Sequence, residues 1–294
     1  MLEQRPKLYA GLVALAVVLL LGACRGEGAV STPTPGPPAT PTPTATPTPS
    51  PVPTEEPTPT TVPTPTAAPS PPTSTPTAAP TSPPVTAPAR IIAKGDSSRQ
   101  VVSLTFDAGS DRGYTEMILD TLRDNGVRAS WGMTGRWAEQ NPDLIRRIAD
   151  EGHDFINHSY DHGSFTGLST GGAPLTRAQR WEQLDRTEAV IHELTGMSTK
   201  PYFRPPFGDY DASVNEDIGA RGYRYNVMWT VDSRGWMGLS ADAIVDRCLE
   251  LHEPGAIYIF HVGSASEDGP ALQRIIDGLR EHGYAFETVA EIVR

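Results

Sequence analysis

Short apolar runs alternate with amphipathic segments between residues 98 and 294. Apolar residues at helical spacing predict helices, one of which carries Ile118, Leu119 and Leu122. Continuous apolar runs predict strands at 101–106, 129–133, 154–157, 202–204, 223–231 and 256–261. Strands that alternate with helices are typical of parallel βαβ units, whose chemistry lies at the carboxyl ends of the strands. The pattern therefore predicts an α/β domain that forms a barrel, with a flavodoxin-like open sheet as the alternative.

Helix-capping residues mark the starts of three further predicted helices. Asn141 followed by Pro142 is typical of a first turn, and the pattern from Thr176 to Gln179 is typical of a capping box. Ser240 opens a third helix that carries Cys248 on its apolar face. We therefore expect Cys248 to be a buried apolar residue and not a nucleophile.

The first residues are typical of a secretory signal. A basic start is followed by the apolar run 8–21, which is short for a membrane span, so residues 1–23 are predicted to be a signal peptide. The run 21–24, Leu-Gly-Ala-Cys, resembles a bacterial lipobox, in which Cys24 is lipidated. We expect an extracytoplasmic protein held by this lipid on the outer face of a bacterial membrane; an ordinary signal peptide with an incidental cysteine is the alternative. With Cys24 lipidated, Cys248 has no cysteine partner in the chain.

Residues 24–90 have a different composition, since Pro, Thr, Ser and Ala dominate and large apolar side chains are scarce. Such a segment cannot bury a core, so we predict a disordered linker. Repeated Pro-Thr favours polyproline II, and the part richest in Pro and Thr, residues 31–89, would extend to roughly 180 Å at about 3.1 Å per residue. The linker would project a folded domain, residues 91–294, into a cell-wall layer.

The charge of the chain limits its partners. Its formal net charge is −11, and nearly all of it belongs to the predicted domain, which has no basic cluster. Phosphate binding needs Lys and Arg, so nucleic acid is not an expected partner. A neutral or cationic glycan is compatible with this charge.

Two histidines, His158 and His162, follow the strand-like run 154–157 directly. Neutral imidazoles delivered together from a strand end suit Zn²⁺ and similar divalent ions. A catalytic site of this kind also needs a third protein ligand and an open position for water or substrate. Taken alone, the pair is equally compatible with ordinary core or surface histidines.

Four other segments accompany this pair and raise its significance. In chain order, the five segments are 104–109 (LTFDAG), 158–162 (HSYDH), 204–208 (RPPFG), 232–236 (DSRGW) and 259–261 (IFH). Together they resemble the motifs of the polysaccharide deacetylases, the NodB homology domain of the fourth carbohydrate-esterase family. The resemblance covers roughly residues 98–294. It implies a distorted (β/α) barrel of seven or eight strands and a metal-dependent removal of acetyl groups from a polysaccharide.

The resemblance implies a catalytic role for three residues. Asp107 matches the base that takes a proton from water, and Arg204 matches the arginine that keeps this carboxylate ionised and oriented. His261 matches the general acid that protonates the leaving amine.

It also implies binding roles. His158 and His162 would be metal ligands, and the backbone N–H of Phe207 would face the oxyanion that forms during hydrolysis. Trp236 and Ile259 match the apolar lining of a pocket for the acetyl methyl group.

The chain departs from the family pattern at two positions. Ala108 stands where most members have a second aspartate that completes the metal triad; Asp111, across a Gly-Ser turn, is the candidate third ligand, although it could equally be a solvated loop residue. Gly235 stands where an aspartate commonly orients the histidine acid, and Asp232 is the nearest substitute.

Three functions follow from these residues. The first is an N-deacetylase that acts on peptidoglycan or a chitin-like glycan with Zn²⁺, or with Co, Ni or Mn. The second is an esterase for O-acetyl groups of xylan or other glycans. The third is a non-catalytic glycan-binding relic, which Ala108 and Gly235 favour and the retained Asp107 and His261 oppose.

Overall fold

A computed structural model of the protein describes residues 87–294. The predicted signal peptide, the lipidation site at Cys24 and nearly all of the predicted linker lie outside the described residues. The first strand begins at Arg90, and Ala89 before it is buried. The folded domain therefore includes the last residues that we had assigned to the linker.

Nine strands and eight α-helices alternate along the described residues. The strands are β1 (Arg90–Ile92), β2 (Val101–Ala108), β3 (Ser130–Met133), β4 (Asp154–Asn157), β5 (Tyr202–Phe203), β6 (Tyr225–Val227), β7 (Val231–Asp232), β8 (Ile257–His261) and β9 (Ala285–Phe286). The helices are α1 (Thr115–Asp124), α2 (Gly135–Gln140), α3 (Pro142–Asp150), α4 (Arg177–Thr195), α5 (Ala212–Ala220), α6 (Ala241–Glu250), α7 (Asp268–Glu281) and α8 (Val289–Ile292).

The strands form one parallel sheet in the order β1-β6-β5-β4-β3-β2-β8-β7, with β9 paired to β2 outside this path. Only residues 228–230 separate β6 from β7, although these strands lie near opposite ends of the order. The sheet must therefore curl. The Thr230 hydroxyl donates to the Ala93 carbonyl at 2.6 Å and links the regions of the two edge strands. This curled half-barrel confirms the predicted distorted barrel and excludes the flavodoxin-like sheet.

The short β6–β7 connection also corrects one prediction. The apolar run 223–231 was expected to be a single strand, and it is two strands with a crossing segment between them. In that segment Met228 N–H donates to the Ile92 carbonyl, and Thr230 N–H donates to the Ile257 carbonyl. A local apolar run cannot reveal that its two halves pair with different neighbours.

Strand β2 shows how the sheet separates core from chemistry. All eight of its residues are buried, and side chains of successive residues point to opposite faces. Phe106 packs against Trp131 and Phe260, with ring centroids 5.1 and 5.4 Å away, in the main hydrophobic core. Thr105 and Asp107 alternate with these residues and make polar contacts on the other face. The strand therefore delivers a carboxylate to the inside of the half-barrel.

The capping predictions are largely confirmed. Thr176 and Gln179 form the capping box of α4, and the Ser240 side chain accepts from Ala243 N–H at the start of α6. Cys248 is buried, and burial raises the pKa of its thiol. Asn141 is the N-cap residue of α3, but its side chain donates to the Trp137 carbonyl at 2.8 Å and so closes α2.

Among residues 87–294, no helix is both long and apolar enough to span a membrane.

Candidate active site

Asp107 lies at the carboxyl end of β2, in register with Gly132 of β3 and His261 of β8. Its Oδ1 accepts from Arg204 Nη1 at 2.6 Å. Burial would raise the pKa of this carboxyl, but the charge and hydrogen bond of Arg204 and the nearby His158 and His261 outweigh it, so the pKa is lowered. Asp107 is therefore a buried carboxylate that remains ionised.

Arg204 is fully buried and held from three directions. Besides Asp107, its Nη2 donates to the Thr105 hydroxyl at 2.9 Å and its Nε donates to the Val227 carbonyl at 3.0 Å. A buried guanidinium needs such partners, since its charge has left water. These contacts fix the orientation of the Asp107 carboxylate.

Gly132 leaves the space that this carboxylate occupies. A Cβ atom at position 132 would lie 2.1 Å from Asp107 Oδ1, which is far inside van der Waals contact. The sequence analysis missed this requirement, because a glycine inside a predicted strand has several ordinary explanations.

His158 follows β4 and is turned by its hydrogen bond to Arg204. Its Nδ1 lies 2.9 Å from the Arg204 carbonyl, and its Nε2 lies 3.5 Å from Asp107 Oδ2. Burial lowers the pKa of His158 more strongly than Asp107 raises it, so the ring is neutral. The neutral ring carries its proton on Nδ1, where a carbonyl accepts it, and presents the Nε2 lone pair to the site.

A strained turn brings His162 beside His158. Ser159 and His162 have φ angles of 66° and 64°, in the left-handed region that non-glycine residues rarely adopt. Ser159 N–H donates to Asn157 Oδ1, and His162 N–H donates to the Ser159 hydroxyl, both at 3.0 Å. The two imidazole centroids lie 4.9 Å apart, and burial lowers the pKa of His162 to about 4.

The donor atoms of this pair fit a divalent cation. Both rings are neutral, which is the form that binds a metal. The Nε2 lone pair of His158 lies 3.5 Å from the acceptor Asp107 Oδ2, and a cation held by the two histidines would reduce the repulsion between these two acceptors. Within residues 87–294, however, no three His, Cys, Asp or Glu side chains form a group that could hold a metal ion.

Asp111 does not join the histidine pair in this conformation. Its carboxylate accepts from Ser264 N–H at 2.8 Å and from the Ser264 hydroxyl at 2.6 Å, and these bonds lower its pKa. It thereby links the loop after β2 to the loop after β8. Its assignment as third metal ligand stays a prediction that would require both bonds to break.

The histidines open onto a groove of two adjoining cavities of about 280 and 520 Å³. Asp107, His158, His162, Trp236 and His261 line both cavities. The groove thus brings the residues predicted for the metal, the base and the acid into one space.

Side chains predicted to bind substrate lie around the same groove. The Phe207 ring stands 4.6 Å from the His162 ring and is 50% exposed, while Ile259 is buried in the lining of the larger cavity. Trp236 is 57% exposed, and its Nε1 lies 3.3 Å from both carboxylate oxygens of Asp232. The role of the Phe207 N–H as hydrogen-bond donor to an oxyanion stays a prediction.

The side chain behind His261 is Asp268, which the sequence analysis overlooked. Asp268 is the first residue of α7 and fully buried, and its Oδ2 accepts from His261 N–H at 2.7 Å. Asp232, predicted as the substitute at this place, instead binds Arg234 N–H at 2.8 Å and Trp236. An aspartate at the start of a helix is usually interpreted as a residue that stabilises the helix end, so its position in the sequence did not indicate a role beside His261.

An ionised carboxylate, two neutral imidazoles and a further histidine at the carboxyl ends of parallel strands define a hydrolytic site. Residues 94–226 match the sequence profile described as polysaccharide deacetylase. The chain belongs to the polysaccharide deacetylase family, whose members are hydrolases.

Three relatives illustrate the likeness. The chain is 30% identical over 202 residues to the peptidoglycan-N-acetylmuramic acid deacetylase PdaA of Bacillus subtilis, covering 68% of this chain and 73% of PdaA. The solved structure of PdaA, a family 4 carbohydrate esterase, has a TM-score of 0.61, 30% identity, and coverage of 68% of this chain and 83% of that one.

The second relative is a peptidoglycan-N-acetylglucosamine deacetylase of Bacillus cereus, 32% identical over 198 residues, which cover 66% of this chain and 69% of the relative. The third is BA3943 of Bacillus anthracis, described as a CE4 family pseudoenzyme. Its structure has a TM-score of 0.63 and 28% identity, covering 71% of this chain and 70% of that one.

Proposed function

We propose that this protein is a metal-dependent N-deacetylase that removes acetyl groups from peptidoglycan or a similar wall glycan. The observation that carries the proposal is the Asp107 carboxylate, oriented by buried Arg204 and 3.5 Å from His158 Nε2, at the base of an open groove. Two similar proteins are named as peptidoglycan deacetylases, which supports this substrate class.

In this proposal Asp107 and His261 divide the proton transfers. Asp107 takes a proton from the attacking water, and its lowered pKa keeps it ionised for that role. His261, in register with Asp107 on the neighbouring strand, gives a proton to the departing amine nitrogen. The Phe207 N–H faces the oxyanion.

A divalent ion, most simply Zn²⁺ and otherwise Co, Ni or Mn, would be held by His158 and His162, where it would polarise the acetyl carbonyl and acidify water. The neutral state of both rings supports this assignment. Asp107, Arg204 and His261 then orient the reacting groups around it.

The groove supports a polymeric substrate with a small acyl group. Ile259 and Trp236 both line the larger cavity, and in this proposal they bound the pocket for the acetyl methyl group while a sugar chain runs along the open groove. Longer acyl groups would meet the bulk of these two side chains.

Two alternatives keep the same groove. An O-acetyl esterase for xylan or other glycans would use the same residues on an ester. A glycan-binding relic is favoured by Ala108, which leaves the pair without a third ligand, and by the likeness to BA3943, described as a pseudoenzyme.

One assay separates these functions. Purified protein is incubated with peptidoglycan, acetylated chito-oligosaccharides and acetylxylan, each with added Zn²⁺, Co²⁺, Ni²⁺ or Mn²⁺, and the released acetate is measured. Acetate from the first two substrates supports the N-deacetylase, and acetate from acetylxylan alone supports the esterase. Glycan binding without acetate from any substrate would establish the relic.

We also propose that lipidation at Cys24 anchors the protein to the outer face of the membrane and that the Pro/Thr-rich segment projects the domain into the wall. The run 21–24 and the composition of the segment support this. Labelled fatty acid should be incorporated into the wild type and not into Cys24→Ser, which should leave the membrane fraction. Membrane retention of an unlabelled wild type would contradict lipidation.

A further inference from the structure

We propose that Asp268 is the positioning residue of His261: its carboxylate accepts a hydrogen bond from Nδ1–H, directly or through one water, and so directs the Nε2 proton toward the groove. This inference rests on the proposed function, in which His261 is the general acid. It assigns to α7 a role that neither Asp232 nor Gly235 fills.

The carboxylate of Asp268 is fixed against the backbone of His261. Its Oδ2 accepts from His261 N–H at 2.7 Å, from the Ser266 hydroxyl at 2.9 Å and from the Ser233 hydroxyl at 3.1 Å. Because three donors hold Oδ2, the carboxylate group cannot rotate freely. The direction of its other oxygen, Oδ1, is therefore fixed.

Two buried atoms near this contact are unpaired and chemically complementary. Among the described residues, neither Asp268 Oδ1 nor His261 Nδ1 has a hydrogen-bond partner, and both are shielded from solvent. Buried polar groups are nearly always paired. A proton on Nδ1 with Oδ1 as its acceptor satisfies both atoms at once. Hydrogen bonds of this kind are often long in the absence of substrate.

Burial raises the pKa of Asp268 above its ordinary value, and the hydrogen bonds from His261 N–H, Ser233 and Ser266 and the charge of His261 offset only part of that rise. An imidazolium next to the carboxylate therefore offsets part of the cost of burying its charge. On its groove side His261 faces Asp107, His158 and His162, and Asp268 is the carboxylate behind it.

Gly235 provides an independent link between this carboxylate and the groove. A Cβ atom at position 235 would lie 2.6 Å from Asp268 Oδ1 and 2.2 Å from the Ser266 hydroxyl oxygen. Any side chain at 235 would compete with Asp268 for the same space. The carboxylate at position 268 therefore requires a residue without a side chain at position 235, because the two would occupy the same space.

The first test compares an amide with an ester substrate. Asp268→Asn keeps the shape of the side chain but removes its charge. We expect turnover on an N-acetyl glycan to fall by about 100-fold or more, because protonation of the amine is impaired. On an aryl acetate, whose leaving group hardly needs a proton, we expect a loss of less than about 10-fold. KM should change little for either substrate.

The matched control is Asp277→Asn, which makes the same change at an exposed position of the same helix. It should leave both turnovers unchanged. Equal losses on amide and ester for Asp268→Asn would assign Asp268 a purely structural role and overturn the proposal, as would wild-type turnover on the amide.

The second test needs no activity and no variant of Asp268. In wild-type protein labelled with ¹⁵N-histidine, the His261 signal is assigned by its loss in His261→Ala. We expect neutral His261 to carry its proton on Nδ1; a proton on Nε2 with a bare Nδ1 would overturn the proposal. An Nδ1 proton in a wild type that releases no acetate would support the pairing and contradict the proposed function alone.

Discussion

The two ends of strand β4 each carry a buried histidine, and the two differ in what their nitrogens do. At the amino end, His153 Nδ1 accepts from Ala129 N–H at 3.1 Å, and the ring packs 5.9 Å from Trp131 in the core. At the carboxyl end, His158 Nδ1 lies 2.9 Å from the Arg204 carbonyl, to which it donates, and Nε2 points to Asp107.

Burial alone does not separate these residues. Both are at most 3% exposed, and burial lowers the pKa of both. The difference lies in the tautomer, since a backbone donor takes the Nδ1 lone pair of His153, whereas a backbone acceptor leaves the Nε2 lone pair of His158 available. In parallel barrels the amino ends of strands serve stability and the carboxyl ends serve chemistry.

Removing an imidazole from the carboxyl end should have the largest effect. We expect His158→Ala and His162→Ala each to lose bound metal and to lower turnover by more than about 100-fold, since even outer partners of a metal contribute ~10- to 100-fold. Metal analysis and acetate release measure the two effects together. His192→Ala, on an exposed helix face, is the control and should change neither. Full activity of both variants in chelator-treated buffer would refute the metal mechanism.

A methyl group beside Asp107 should also lower turnover, because it disturbs the side chains at the carboxyl ends of the strands. Gly132→Ala places a Cβ 2.1 Å from Asp107 Oδ1, so the carboxylate must move. A displacement of about 1 Å can cost on the order of 100-fold in turnover, and we expect a loss of roughly 10- to 100-fold. Gly172→Ala in an exposed loop should be neutral. Unchanged turnover would show that the position of the carboxylate is not critical.

At the amino end of β4, we expect His153 to affect the free energy of unfolding and not turnover. The pKa of His153 is lowered from 6.5 to about 4 by burial, so the unfolded chain takes up a proton first as the pH falls. The contribution of His153 is therefore full above its unfolded pKa and is lost toward its folded pKa. Between pH 7 and 5 this amounts to about 2 kcal/mol of unfolding free energy.

Urea unfolding at both pH values measures this loss. His153→Gln should be less stable than the wild type at pH 7, and the gap should narrow by pH 5 while turnover per folded molecule is kept. His192→Gln is the control. A gap that stays constant with pH would show that His153 does not resist protonation.

The smallest effect is expected at Asp111. Because Ser264 already holds its carboxylate, Asp111→Ala should change metal affinity by less than about threefold, below the ~10-fold loss typical of a ligand or its partner. Metal titration measures this affinity. A loss of tenfold or more would establish Asp111 as the third ligand and show that the loop rearranges on binding.

Much of the domain could be predicted from local pattern. The alternation of apolar runs and capped helices gave the α/β class, and the motif resemblance gave the barrel, which the structure and the relatives confirm. The division of 223–231 into two strands could not be predicted, because it depends on which neighbours each half meets in the curled sheet.

The side chains that meet at the groove were predicted where a motif marks them, and two of their neighbours were missed because only three-dimensional contact reveals them. Asp107, His158 and His261 stand at strand ends in recognisable segments, and the structure gathers them around one groove. Gly132 and Asp268 have no local signature, because their importance comes from the atoms of distant residues that lie against them. Asp232 was chosen by nearness in sequence, and its carboxylate is occupied by Trp236.

The most direct test of the central claim, that the carboxyl ends of these strands carry the chemistry with Asp107 as base, is acetate release from an N-acetylated glycan by Asp107→Asn. This variant keeps the shape of the side chain but cannot take a proton from water. We predict turnover per folded molecule lower by on the order of 100- to 10,000-fold, with metal content close to wild type. Thermal stability should fall, because Arg204 loses the charged partner of a buried ion pair. Wild-type turnover by Asp107→Asn would contradict the account.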